Sequence, residues 1–218
     1  MAFRRKLLVL LPAMAIPALL QLTACFNPDN HFKITASIKV GGRIYSGSGV
    51  EAFSCHKAAA WAGTSDVSQC YVRGAAIPVN MGGGRYLFLI IKGPNGDMTS
   101  LAAAILRARG EDPFGDATPI NLPDRWMLKP GDMPLMVTFT DAHNPASILA
   151  VDPGDLNSTL GQDVSQLNVS VEGSSDALSS NGIYSIIPWV NKKNRFEYIR
   201  RDVPSFIGNV QYFDFDTR

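Results

Sequence analysis

The sequence predicts an α+β fold: a single domain built mostly of antiparallel β-sheet, with one clear helix at about 97–109. Three observations lead to this class. Residues 32–40 alternate strictly between apolar and polar, short apolar runs recur between turns rich in Gly and Pro, and only one segment has the composition and end signals of a full helix.

The first strand and its return form a predicted hairpin. Gly41-Gly42 follows the alternating run, and glycine tolerates the positive φ that a two-residue turn requires. This turn pairs Val40 with Arg43 and Ala36 with Gly47, in a return strand that ends near Phe53. Gly47 and Gly49 then share the apolar face, which leaves room there for another backbone or a large side chain.

Further strands are expected over 71–79, 86–91, 135–140, 148–151 and 167–171. Pro78 lacks an N–H group, so it indicates a sheet edge or a strand end. The continuous apolar run 86–91 is typical of a central strand that is covered on both faces.

Two helical segments and one long connection complete the chain. Over 97–109, Asp97 or Thr99 can cap a helix that ends before Gly110 and packs its Leu101, Ile105 and Leu106 on the sheet. Asp155 is expected to cap a short helical turn through Leu160. Residues 111–134 contain five prolines and predict a long irregular crossing.

The N-terminus has the three parts of an export signal. Arg4, Arg5 and Lys6 precede the apolar run 7–20, and small residues follow it. The sequence Leu22-Thr23-Ala24-Cys25 resembles the lipobox of bacterial lipoproteins, which implies lipidation of Cys25 and removal of residues 1–24. The alternative is an uncleaved transmembrane anchor, but the strictly apolar part has 14 residues, fewer than the roughly 20 that a spanning helix needs.

These signals divide the chain into a signal peptide (1–24), a lipidated tether (25–31), an α+β domain (32–189) and a C-terminal extension (190–218). The expected location is the cell envelope, anchored by lipid and facing the periplasm. In lipoproteins of two-membrane bacteria an Asp after the lipidated cysteine favours inner-membrane retention. Phe26 and Asn27 follow here, which favours the outer membrane.

The net charge limits the classes of partner, and the cysteine count predicts a disulfide. Processing leaves 17 basic and 19 acidic residues, a net charge of −2, which argues against nucleic acid or an anionic membrane surface as the main partner. Cys55 and Cys70 remain as an even pair outside the cytosol, where a disulfide is expected. A metal site using His56 is the alternative, but no further ligand cluster follows. No cofactor is indicated.

From about Phe32 to Trp189 the chain resembles a family of small β-rich proteins of proteobacteria that has no assigned activity. The resemblance rests on segments 73–79 and 86–89, then on 134–141, 151–156 and 187–189. It implies no catalytic residues.

Several motifs suggest chemistry but have simpler structural interpretations. Ser46-Gly47-Ser48-Gly49 lacks the spacing of a nucleophile elbow, and Gly82-Gly83-Gly84 lacks the lysine of a phosphate loop. Three other groups of residues could supply a general base, a calcium site or a ligand surface, but their positions in the sequence give little support to these roles. They are the histidines His31, His56 and His143 with Asp141, the aspartates Asp152, Asp155 and Asp163, and the aromatic residues Trp61, Phe114, Trp126 and Trp189.

The sequence therefore predicts a membrane-anchored, non-enzymatic binding or interaction module that holds an envelope protein or another envelope component. One alternative is a periplasmic hydrolase in which folding joins Ser48 and His143. A second alternative is a lipoprotein that binds a small ligand in an apolar pocket.

Overall fold

The computed structural model describes residues 30–57, 68–93, 96, 104–106, 125–178, 180–191 and 215. Within these ranges, nine strands form two antiparallel sheets, one of five strands and one of four. The prediction of a domain dominated by antiparallel sheet is confirmed.

The five-stranded sheet has β1 at its centre. Its spatial order is β3 (Ser68–Arg73), β2 (Arg43–Lys57), β1 (Asn30–Val40), β9 (Val164–Gly173) and β6 (Trp126–Met127). The four-stranded sheet has the order β4 (Ile77–Gly82), β5 (Arg85–Leu89), β7 (Met136–Phe139) and β8 (Ile148–Val151).

The first hairpin forms with the predicted register. Val40 pairs with Arg43 and Ala36 with Gly47, and both turn glycines have positive φ. The apolar positions of β1 are all buried, at 0–5% exposure: Phe32, Ile34, Ala36, Ile38 and Val40. Full burial of a large apolar side chain stabilises a fold by about 1.5–3 kcal/mol, so this one strand supplies a large part of the core.

The main core lies between the two sheets. Opposite β1 it is formed by Ile77, Val79 and Met81 of β4 and by Leu87 and Leu89 of β5. Side chains that alternate along each strand fill this layer from both sides, as in other packed sheets.

The predicted strand 71–79 is wrong as a single strand. The chain divides at Gly74 into β3 and β4, which belong to different sheets. A Cβ atom at position 74 would overlap the carboxylate of Glu51, so glycine lets the chain bend past this buried side chain. The bend forms one corner of the sandwich.

The four-stranded sheet is covered on both faces. β4 lies at its edge, as Pro78 predicts, and β5 is internal, as the run 86–91 predicts. Its outward residues form a second cluster with the segment that contains α2 (Ile183–Ile186) and the 3₁₀ turn Pro188–Asn191.

Most of the aromatic contacts within this second cluster are edge to face. Phe88 and Phe139 have ring centroids 5.5 Å apart, and Trp189 lies 5.7 Å from Phe215. Phe215 is fully buried and its carbonyl accepts a hydrogen bond from the Ala76 N–H at 2.9 Å. A residue of the predicted extension 190–218 is thus part of the core.

Two further expectations are corrected. Part of the crossing 111–134 is regular, because Trp126 and Met127 form β6 and pair with Val171 and Ser170. Helix α1 (Leu156–Leu160) begins after Asp155 as predicted, but the Asp155 carboxylate makes no capping hydrogen bond.

Only residues 104–106 of the predicted helix 97–109 lie in the described ranges, and they are helical. Ile105 and Leu106 are buried in the main core, as predicted, whereas Leu101 lies outside the described residues. β2 ends at Lys57 and β3 begins at Ser68, and residues 58–67 between them lie outside the described ranges.

The two sheets approach each other closely at Gly47 and Gly49, the positions where the sequence predicts space for another backbone or a large side chain. A Cβ atom at position 47 would overlap the carbonyl oxygen of Pro78. At position 49 it would overlap the side-chain amide of Asn181 and lie 2.8 Å from Ile77 Cγ1. Asn181 has a φ of 52° and donates a hydrogen bond of 2.9 Å to the Ala75 carbonyl, which fixes its amide there.

We expect Gly47→Ala to destabilise the fold, because the added methyl group overlaps a backbone atom that cannot rotate away. Overpacking of this kind costs typically about 1–3 kcal/mol in the free energy of unfolding, measurable by urea denaturation. Gly131→Ala is the matched control, since position 131 has negative φ and open space around it. Equal unfolding free energies for the two variants would contradict the close approach of β4 to β2.

Candidate functional site

The outward side of the five-stranded sheet, which we call the outer face, carries mostly polar residues, but its Val50, Ala52 and Ser170 are buried. Its residues alternate with those of the main core, and the strand register places them in rows across the sheet. It comprises His31, Lys33, Thr35, Ser37 and Lys39 of β1, Ile44, Ser46, Ser48, Val50 and Ala52 of β2, Arg73 of β3, Gln166, Asn168, Ser170 and Glu172 of β9, and Met127 of β6.

Positive charge predominates on the outer face. Lys33, Lys39 and Arg73 belong to it by register, and Arg125 joins it through Glu172. Arg125 Nε donates to Glu172 Oε2 at 3.0 Å. Glu172 is the one acidic residue on this face among the described residues, and Asp176 lies beyond the end of β9 at its rim.

The hydrogen bond between Arg125 and Glu172 shifts the pKa of both side chains. The hydrogen bond from Arg125, together with the charges of Arg125 and Lys33, lowers the pKa of Glu172. The same hydrogen bond raises the pKa of Arg125. Both groups are therefore ionised at neutral pH, and Glu172 offsets one of the four positive charges.

Two apolar side chains project from this same polar surface. Ile44 is 73% exposed and Met127 is 54% exposed, and they are the exposed large hydrophobic residues of the described ranges. Ile44 pairs with Lys39 near the hairpin turn, whereas Met127 pairs with Ser170 at the opposite edge. The outer face thus combines basic, hydroxyl and isolated apolar groups.

Sequence reasoning missed this surface because its basic residues are far apart in the chain. Lys33 and Arg125 are separated by more than ninety positions, and both lie in segments without a charge run. The alternation in 32–40 did place Lys33 and Lys39 on one polar face. The register that adds Arg73 and Arg125 to them could not be read from the sequence.

The strand register brings Cys55 and Cys70 opposite each other on β2 and β3. Directly opposed residues of antiparallel strands have Cα atoms about 4.5–5.5 Å apart, and a disulfide needs about 4.4–6.8 Å. The backbone therefore has the spacing that the predicted disulfide requires. Cys25, the predicted lipidation site, lies outside the described residues.

The structure does not bring Ser48 and His143 together. Ser48 is exposed on the outer face, inside β2, so the Gly47-Ser48-Gly49 sequence belongs to a strand, as expected. His143 is exposed in the connection between β7 and β8, on the other sheet, and the main core separates the two sheets. The geometry gives no support to a Ser48–His143 site.

Asp141 and the residues after it form a turn. Asp141 Oδ1 accepts from the His143 N–H at 2.9 Å, and Asn144 Oδ1 accepts from the Ala146 N–H at 3.0 Å. Side chains of Asp and Asn commonly stabilise turns in this way. Asp141 Oδ1 also lies 3.6 Å from His143 Nδ1, with both side chains more than half exposed.

The other candidate ligands have local roles. His31 Nδ1 lies 2.7 Å from the Asp176 carbonyl oxygen, and Asp152 Oδ1 accepts from the Gly154 N–H. No cluster of three metal-ligating side chains occurs among the described residues. Gly82 to Gly84 form a turn with positive φ at each residue, as the sequence predicts. His56 lies on β2.

The tryptophans have different environments. Trp189 is buried in the second cluster, and its Nε1 donates to the Ala142 carbonyl at 2.7 Å, which ties the C-terminal segment to the connection between β7 and β8. Trp126 lies in β6 and is half-buried. Trp61 and Phe114 lie outside the described residues.

Glu51 is a buried acidic residue that sequence reasoning missed. It is 2% exposed and pairs with Phe32 on the core side of β2. Only the glycine at position 74 gives its carboxylate space. The predicted register of the hairpin contains a signal for this burial, because it places Glu51, two residues after Gly49, on the apolar face opposite Phe32.

None of the helices in the described ranges is both long and apolar enough to cross a bilayer. No protein-family model, curated protein or solved structure matches this chain.

An ion pair links the two sheets at the end far from Asn30. Arg85, at the start of β5, donates to Asp163 Oδ1 at 3.2 Å and to Oδ2 at 2.9 Å, and Arg85 Nη1 also donates to the Leu160 carbonyl. The hydrogen bond to Arg85 lowers the pKa of Asp163. Asp163 in turn accepts the Gly41 N–H through its carbonyl oxygen, next to the hairpin turn.

We expect this pair to make stability depend on pH in the acid range. Because the pKa of Asp163 is lower in the folded state than its unfolded value of about 3.9, the stabilisation is present at neutral pH and is lost as the pH falls through the folded pKa. Asp163→Asn should therefore show a smaller fall in urea midpoint between about pH 6 and about pH 3 than the parent protein. Asp155→Asn is the control. If the urea midpoint falls equally with pH in the parent protein and in Asp163→Asn, the ion pair does not contribute to the pH dependence of stability.

Proposed function

We propose that this chain is a lipid-anchored, non-enzymatic binding module of the bacterial cell envelope. The observation that carries the proposal is the N-terminal sequence, in which a basic start and an apolar run lead to Leu22-Thr23-Ala24-Cys25. Lipid on Cys25 would hold the domain at a membrane by burial of its acyl chains, at about 0.8 kcal/mol for each buried methylene group.

The start of β1 soon after Cys25 supports a short tether between the lipid and the domain. β1 begins at Asn30, five residues after Cys25, and an extended chain of that length spans at most roughly 18 Å. The start of β1 would therefore stay near the membrane surface. Phe26 and Asn27 after the cysteine support the outer membrane over the inner membrane as the location.

A binding role has better support from the surface than a hydrolytic one. The hydrolase alternative depends on Ser48 and His143, which lie on different sheets. The outer face instead offers four basic residues and two exposed apolar side chains on one side of a sheet. Such a surface suits recognition of an envelope component.

The proposed envelope location also favours oxidation of Cys55 and Cys70 to a disulfide. We propose that they form a disulfide between β2 and β3, and their opposed positions support this. Each thiol would lose a proton and one electron to the disulfide of an envelope thiol oxidase. The bond would fasten β3, the edge strand that leads through Gly74 into the second sheet.

The anchor is tested by metabolic labelling with radioactive palmitate in the cells that express the protein. We expect label on the parent protein and on the Cys55→Ser/Cys70→Ser variant, and none on Cys25→Ser, because only Cys25 accepts the lipid. The Cys25→Ser chain should also keep its leader and migrate as a longer precursor. Label that persists on Cys25→Ser, or none on the parent, would refute the proposal.

The disulfide is tested by alkylation of the denatured protein with a maleimide, before and after reduction. We expect Cys55 and Cys70 to react only after reduction, and Cys55→Ser to expose Cys70 without it. Loss of the bond should lower the free energy of unfolding by roughly 3 kcal/mol, the chain-entropy value for a loop of this size. Reaction of both thiols without reduction in the parent protein would show that they are not bonded.

A further inference from the structure

We infer that Asn181 is a modification site, at which deamidation of the side-chain amide loosens the segment 183–191 that covers the four-stranded sheet. Asn181-Gly182 is one of two Asn-Gly pairs in the sequence. Asn181 is also the one non-glycine residue with positive φ among the described residues. The inference concerns the folded domain and does not depend on the proposed lipid anchor.

Asn181 and Gly182 are the central residues of a tight turn. Their φ values are 52° and 69°, and the Ile183 N–H donates to the Ser180 carbonyl at 2.9 Å. Positive φ at both central positions is typical of turns that favour Asn and Gly. The turn leads directly into α2, so a change in it alters how the covering segment 183–191 begins.

The side chain of Asn181 has a second role, because its amide holds the corner at which β4 begins. Nδ2 donates to the Ala75 carbonyl at 2.9 Å and to the Ala76 carbonyl at 3.5 Å. The amide lies beside Gly49, where a Cβ atom would overlap it. Both hydrogen bonds need the hydrogen atoms of the amide. An ionised carboxylate only accepts, so in the same place it would oppose negative oxygen atoms to carbonyl oxygen atoms.

Deamidation produces that carboxylate with water as the only reagent. The backbone nitrogen of Gly182 attacks Cγ of Asn181 and forms a cyclic imide, and Nδ2 leaves as ammonia with the proton of the Gly182 nitrogen. Water then opens the imide to aspartate or isoaspartate. Glycine favours the attack because it has no Cβ atom beside the nitrogen. In the closed fold the contacts with Ala75 and Ala76 hold the side chain on the sheet, so the reaction requires the turn to open first.

The loss of these contacts affects the second cluster. Ala76, whose carbonyl accepts from Asn181, also donates its N–H to the Phe215 carbonyl at 2.9 Å. Ile183 and Ile187 of the covering segment are fully buried in the same cluster. A carboxylate at position 181 therefore weakens the attachment of both the covering segment and Phe215, and hydrolysis of the amide makes this change irreversible.

The first test measures deamidation in the purified full-length protein, by peptide mass mapping after incubation in mildly alkaline buffer with and without guanidinium chloride. We expect Asn181 to react about tenfold more slowly in the folded protein than in denaturant, which is the effect of one hydrogen bond of ordinary strength. In denaturant it should react at a rate similar to that of Asn95, which belongs to the other Asn-Gly pair. Equal rates for Asn181 with and without denaturant would overturn the inference.

A variant at Gly49 tests the protection itself. The methyl group of Gly49→Ala would displace the Asn181 amide, so deamidation in the variant should rise toward the rate in denaturant, while near-UV circular dichroism confirms that the variant is folded. Gly131→Ala is the matched control, since the space around position 131 is open, and it should react like the parent protein. If folded Gly49→Ala also reacts like the parent, the position of the amide does not protect Asn181 and the inference is wrong.

The second test measures the consequence, as hydrogen exchange of the Ala76 amide. Asn181→Asp should raise this exchange about tenfold, because the hydrogen bonds of the side-chain amide are lost. Asn144→Asp is the matched control: Asn144 uses its side-chain oxygen, which accepts from the Ala146 N–H, and aspartate keeps that acceptor. Parent protein that has deamidated at Asn181, separated by ion exchange, should behave like Asn181→Asp, so the test does not depend on how well the variant folds. Exchange at Ala76 that stays at the parent rate after deamidation would overturn the inference.

Discussion

The close approach of β4 to β2 is the constraint on which the sandwich depends. At Gly47 the backbone of one sheet contacts the Pro78 carbonyl of the other, with no side chain between them. This contact brings the two sheets together at one edge, and the chain crosses between them nearby, at Gly74. The main core, filled by β1 from one side and by β4 and β5 from the other, forms in the space that this corner defines.

The four-stranded sheet is the better protected of the two. Its inner face packs on β1, and its outer face packs on α2, the turn that contains Trp189, and Phe215. The five-stranded sheet is mostly apolar on the side that faces the core and mostly polar on the other. Its other side carries the lysines, arginines and hydroxyl groups of the outer face, together with the exposed side chains of Ile44 and Met127 and the buried residues Val50 and Ala52.

The net charge of the chain does not predict the charge of its outer face. The full chain has a net charge of +1, so its composition predicts little attraction to a charged surface of either sign. Folding sorts the charges, because strand alternation places Lys33 and Lys39 on the outward side and strand pairing adds Arg73 beside them. A local surface can thus carry more positive charge than the composition of the whole chain predicts.

The sequence by itself determined those features that depend on neighbouring residues. The alternation in 32–40 and Gly41-Gly42 predicted β1, its turn and the register of β2, since a strand has a period of two and a tight turn fixes the pairing. Pro78 indicated a sheet edge or a strand end, and the run 86–91 indicated a strand covered on both faces; β4 is an edge strand and β5 is internal. Tertiary structure alone decided what depends on distant residues. It split 71–79 at Gly74, paired Trp126 with Val171, buried Phe215, opposed Cys55 to Cys70 and assembled the outer face, because each of these needs a contact between residues that no local pattern relates.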